Sequence, residues 1–178
     1  MARRKPSHEG TLVLDCEGLS KLVGDDEPVV VLVVLVAEAR KRGMEVAISA
    51  LTIIEAVHRR TDRARLARVL SGMRIVPIGD EEARAASAML ISAGLHGHKY
   101  AVDAAVAETA LRQHRLVVML TSDVDDITKL CGDRYGWSPS SPALTGFDAG
   151  ELYEQQDHAV CLGEVGCGEG DRTTVLGA

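Results

Sequence analysis

The sequence predicts an α/β fold around a central parallel sheet, and three observations carry that prediction. Short apolar runs alternate with helical stretches along the chain, the order that lays parallel strands side by side. Two of the runs, residues 11–14 (TLVL) and 116–120 (LVVML), end just before an acid, Asp15 and Asp123, where strand hands over to helix. The chain is 178 residues long and 46% hydrophobic with only 3% aromatics, so one domain can be cored by Val, Leu, Ile and Ala.

The first strand, Thr11–Leu14, is apolar throughout and reads as buried. A short helix follows to about Val23 and is closed by Gly24. Residues 29–37 (VVVLVVLVA) favour a strand by composition, but their flanks argue for a helix from about 28 to 42. Asp26 can cap it, Pro28 suits a first turn, and basic residues precede Gly43. Being apolar nearly all round, this helix is expected to be buried or to lie at a subunit contact. Val46–Ile48 is a second strand, leading into a helix that carries Glu55 and ends near Arg60. Residues 62–71 form a basic amphipathic helix and Arg74–Ile78 a third strand.

Asp80 is expected to cap a helix running to Gly94. The polar loop HGHK precedes a helix from about Tyr100 to His114. Leu116–Leu120 is the fourth strand, and Asp123 begins a helix that reaches Cys131. The domain organisation expected is a basic flexible N-terminus over 1–10, one domain over 11–150, and an acidic disordered tail over 151–178. That tail is polar, glycine-rich and aperiodic. It holds six acids against one base, whereas residues 1–150 hold 20 against 19, so the net charge of −6 does not exclude a nucleic-acid partner. The longest apolar run is too short for a membrane span, which needs about 20 residues. No secretory signal is visible, and Cys16, Cys131, Cys161 and Cys167 form no CxxC pair, so a cytoplasmic protein with reduced thiols is expected.

Asp15, Glu55, Asp103 and Asp123 all sit where strands give way to helices or early in the helix that follows. Each has a local explanation. Asp15 can cap the first helix, and Glu55 lies three residues after Thr52 in capping-box spacing. Asp103 can offset a helix dipole, and Asp123 can pair with Asp126 around the last helix. Together they are harder to dismiss. Asp103 lies within YAVDAAVAETA and shares a face with Val106 and Ala107, a costly position for a carboxylate unless it is paired or bound to metal. Open α/β sheets bind ligands beyond the carboxyl ends of their strands, and carboxylates gathered there suit a hard cation, Mg²⁺ or Mn²⁺.

The basic stretch Arg59, Arg60, Arg63, Arg65 and Arg68 follows the Glu55 helix. It reads as a solvated face or, as a group, as a phosphate-holding surface, with Lys99 and Lys129 as further candidates. Only Tyr100 is an aromatic close to an acid. Glu55 and His58 have E-x-x-H spacing without a second copy, and His96 and His98 read as a solvated turn. His158, Cys161 and Cys167 make a weak zinc set. No G-x-G-x-x-G, P-loop or G-x-S-x-G occurs. A dehalogenase-like phosphatase wants D-x-D where this chain has Asp15-Cys16-Glu17. A response regulator wants its acid pair at the end of the first strand, whereas Asp25-Asp26 lies beyond a helix.

Four segments, TLVLDCEGLSKLV, ISALTIIEAVHRR, KYAVDAAVAETAL and VVMLTSDVDDITKL, resemble in order and spacing the acidic motifs of PIN-domain ribonucleases. The nearest likeness is to VapC-type toxins of toxin–antitoxin pairs, over about residues 11–132. The resemblance implies a PIN-like three-layer sandwich with a mainly parallel sheet, metal-dependent endonucleolytic cleavage of RNA, and homodimers inhibited by a small antitoxin. By position, Asp15 and Asp103 would be the principal Mg²⁺ ligands, with Glu55 and Asp123 completing the pocket and Asp126 nearby. Thr121 and Ser122 would shape the turn and hydrogen-bond the carboxylates. The alternative is a non-catalytic module of the same fold that binds RNA or protein. The N-terminal extension and the tail depart from the usual short toxin, and a last strand is hard to find in residues 136–147.

Overall fold

The computed structural model describes residues 10–24, 29–113, 116–132, 162–167 and 171–177. The expectations for residues 1–9, for Asp26 and Pro28, for the strand sought in 136–147, and for His158 and Cys161 lie outside the described residues. Strand β1 (Gly10–Leu14) leads into α1 (Cys16–Val23) and then α2 (Val29–Lys41). Strand β2 (Met44–Ser49) is followed by α3 (Ala50–Ala56), α4 (Arg63–Ser71) and β3 (Arg74–Val76). Helices α5 (Asp80–Ala93) and α6 (Gly97–Leu111) precede β4 (Leu116–Thr121) and α7 (Val124–Cys131).

The α/β fold is the expected one. Strands β3, β2, β1 and β4 lie side by side in that order, all parallel. Leu14 is level with Ile48 on one side and with Leu120 on the other. That register brings Asp15, Ser49 and Thr121 out together at the carboxyl edge. Because β2 and β4 flank β1 in opposite directions of chain progress, the crevice of the sheet opens between β1 and β4.

Alternation along the strands splits the core in two. Leu12, Leu14, Val46, Ile48, Val118 and Leu120 pack with residues of α1, α2, α3 and α4 on one face. Val13, Val117 and Met119 pack with α5, α6 and α7 on the other. The result is three layers, helix–sheet–helix. At about 25 cal/mol per Å² of apolar surface, these aliphatic contacts outweigh the strand preference of the valines in α2. A helix there lays Leu32, Leu35, Val36 and Ala39 on the sheet.

Several local expectations are corrected. Of the two places expected for helix α2, full burial is not found, since Val30, Val33 and Val34 are 64%, 49% and 50% exposed, and the subunit contact is left as the other. Gly79, not Asp80, stands at the N-cap of α5, and its N–H donates to Glu82 Oε2 at 3.0 Å. Helix α6 starts at Gly97, because His96 Nδ1 accepts from the His98 N–H, and it carries a non-helical kink at Tyr100. The segment over 151–178, expected to be disordered, contributes β5 (Leu162–Cys167) and β6 (Asp171–Gly177). β6 runs parallel to β4 and β5 antiparallel to β6. A run of β-branched residues, Thr173, Thr174 and Val175, explains why glycine content and charge misjudge this stretch. Among the described residues no helix is long and apolar enough to cross a membrane.

Candidate active site

The carboxyl edge of the sheet gathers side chains from both helical layers. Asp15 closes β1, and its backbone N–H continues the sheet by donating to Leu120 O at 3.1 Å. Its carboxylate caps α1 by accepting from the Gly18 N–H at 2.7 Å, and its other oxygen accepts from the Ser122 N–H at 3.1 Å. The local explanation for Asp15 therefore holds, and it is incomplete, because a cap alone has no need of the second loop. A carboxylate has about four lone-pair sites, and with the Thr121 hydroxyl taking a third, one remains for another partner. Burial pushes the Asp15 carboxyl above its ordinary value, and the hydrogen bonds from Gly18, Ser122 and Thr121 oppose that rise.

The local explanations for Glu55 and Asp123 fail. Ser49, whose Oγ accepts from the Leu51 N–H at 3.3 Å, caps α3, so Thr52 and Glu55 form no capping box. Glu55 instead extends from the last turn of α3, exposed. Asp123 stands at the N-cap position of α7 with no side-chain cap bond. Its N–H donates to Thr121 Oγ1 at 3.1 Å, and Asp126 is held by Lys129 Nζ at 2.9 Å rather than by a reciprocal cap. Thr121 accepts within this turn through its hydroxyl, and Ser122 reaches Asp15 through its backbone N–H.

Asp103 comes from the opposite layer, one turn past the kink of α6 and at the edge of a run, Ala104–Ala110, that is wholly buried. Burial first, and then the charges of Asp123, Glu55, Asp15 and Asp126 in that order, together raise its carboxyl to about 6. Five acids therefore act on one region of space. Cys16, which sequence reasoning left out, belongs to the same pocket. Burial first, then a hydrogen bond to Glu55 and the charges of Glu55, Asp15 and Asp103, push its thiol up to about 12. It is a neutral donor there rather than a nucleophile. Its place directly after Asp15, at the start of α1, was the available signal.

Among the described residues no three His, Cys, Asp or Glu side chains stand close enough together to hold an ion. The donor chemistry fits a hard divalent cation, since every anionic side chain around Asp103 is a carboxylate. The basic candidates divide between the layers. Arg59, Arg60, Arg63 and Arg68 are exposed on and before α4, while Lys99 and Lys129 belong to α6 and α7. His58 is exposed and accepts from the Arg60 N–H, as a surface residue would. No family model matches the chain, and no curated protein sequence matches it.

Proposed function

We propose that the chain is a metal-dependent endoribonuclease of PIN type, acting on phosphodiester bonds at the carboxyl edge of its sheet. The observation that carries this reading is Asp103, whose half-buried carboxyl is raised by burial and by four other acids, Asp15 just after β1, Glu55 on α3, and Asp123 and Asp126 at the start of α7. A fold keeps mutually repelling carboxylates together when a function uses them. Asp15 and Asp103 would hold Mg²⁺ or Mn²⁺, with Glu55 and Asp123 completing the pocket. When bound, the ion supplies charge against the phosphoryl oxygens and makes water acidic enough to attack phosphorus. The protein's part is positional. The Gly18 and Ser122 N–H groups fix the Asp15 carboxylate, the Thr121 hydroxyl fixes the loop before Asp123, and the Cys16 thiol steadies Glu55.

The resemblance to VapC-type toxins extends the proposal to a cytoplasmic toxin that forms homodimers and is silenced by a cognate antitoxin. The outward row Val30, Val33 and Val34 on α2 suits a protein contact of that kind. The test is cleavage of RNA by the purified chain with Mg²⁺, with Mn²⁺ and with EDTA, beside Asp103→Asn. Metal-dependent products that the variant does not make support the reading. Binding of RNA without cleavage under every condition would favour the non-catalytic module.

A further inference from the structure

A pocket of carboxylates repels the polyanion it is meant to cut, so cations at its rim must draw the backbone in. Two groups compete for that role from opposite faces of the sheet, the arginines around α4 and the lysines of α6 and α7. The geometry separates them. Lys99 Nζ donates to the Tyr100 hydroxyl at 2.8 Å and stands 4.6 Å from the centre of that ring. Lys129 Nζ is 2.9 Å from Asp126 Oδ1, on α7, the helix that Asp123 precedes. The Tyr100 hydroxyl bond raises the Lys99 ammonium's pKa, with further help from the charges of Asp126 and Asp123. Both lysines are thus tied to the acidic side of the molecule. Each spends one of its three N–H donors locally and keeps two for a ligand.

Tyr100 fixes the arrangement. Its ring packs against the core of the second layer, and its backbone (φ −111, ψ 16) breaks the helix between Lys99 and Asp103. The hydroxyl accepts from Lys99 and retains its own hydrogen to donate. We propose that Lys99, Lys129 and the Tyr100 hydroxyl form a phosphate-binding track beside the acidic pocket. It holds the RNA backbone next to the cleaved bond, whereas Arg60 and Arg63 lie before and at the start of α4, on the other face of the sheet. The inference rests on the nuclease reading and makes these three positioning residues, not catalytic ones.

The test is binding of a labelled single-stranded RNA oligonucleotide to the full chain in EDTA, by fluorescence anisotropy at increasing KCl. Each lost phosphate contact flattens the dependence of log K on log salt by about 0.7. Lys99→Gln with Lys129→Gln should flatten it by about 1.4, Arg60→Gln with Arg63→Gln should leave it unchanged, and arginine in place of each lysine should restore it. Tyr100→Phe should weaken binding without changing the slope. With Mg²⁺ added, the lysine pair should raise KM and spare kcat. An unchanged slope in the lysine pair, or a flattened slope in the arginine pair, would overturn the track while wild-type cleavage left the nuclease reading standing. A wild-type chain that neither binds nor cleaves RNA would remove both.

Discussion

The Asp15 carboxylate and the Ser122 N–H, 107 positions apart in the chain, meet at 3.1 Å. With the bond to Gly18 N–H, one buried side chain pins the ends of β1 and β4 and the start of α1 to each other. Asp15→Asn keeps one acceptor oxygen and presents an amide to the other N–H, while Asp15→Ala leaves both donors bare. Cleavage should fall to background in both. Stability should fall by about 1–2 kcal/mol in Asn and further in Ala, as read by urea denaturation. Equal stability of the two variants would contradict the shared-carboxylate role.

Asp103 makes the metal-free protein sensitive to pH in a defined direction. Its carboxyl is raised to about 6 in the folded state, so folding favours its protonated form. That contribution is complete below the unfolded value of about 4 and is lost as pH climbs through about 6. Asp15, raised by burial, acts in the same sense. In EDTA, Asp103→Asn should therefore melt higher than wild type near neutral pH and converge with it in acid. Melting curves that run parallel across that range would remove the repulsion on which the site assignment depends.

A cation should reverse that penalty. Mg²⁺ or Mn²⁺ at a hundred times its dissociation constant stabilises a binding-competent fold by about 2.7 kcal/mol. Titration of either metal should raise the wild-type melting temperature, with a much smaller rise in Asp103→Asn. Identical rises in the two proteins would mean that the ion binds elsewhere.

Glu108 and Arg112 offer a test independent of function. The Glu108 side chain is only 3% exposed, and it pairs with the Arg112 guanidinium, which also meets Glu81 at 3.1 Å and Glu82 at 3.2 Å. Removing the cation by Arg112→Met leaves a buried carboxylate uncompensated and should cost about 1–3 kcal/mol. Adding Glu108→Gln should recover part of it. A double variant less stable than Arg112→Met by the full cost of a second independent change would show that the pair is not coupled.

Much of this was legible in residue order. The runs ending at Leu14 and Thr121 read as buried parallel strands because each is short, aliphatic and followed within two residues by an acid that opens a helical stretch. Asp15 and Asp123 could be named because they stand at strand–helix junctions, and Asp103 because it interrupts an apolar helical stretch, whereas Glu55, in the last turn of α3, was named from the motif resemblance. What could not be read was which of them were occupied with capping. That turned on Ser49, one residue before α3, displacing Thr52 as the cap, and on the dihedral angles of Asp123. Cys16 was passed over because a single thiol carries no spacing signal. The strands of the last segment were missed because glycine and acid composition masked a short β-branched run, and its pairing partner, β4, lies some fifty residues earlier.

The division of the pocket between two layers has a consequence for a cell that makes this chain. Glu55 arrives with the helices on one side of the sheet and Asp103 with those on the other. A nascent or partly folded molecule therefore brings together only part of the acidic set. On the nuclease proposal, the metal site and any cleavage would arise only once both layers have docked on the sheet.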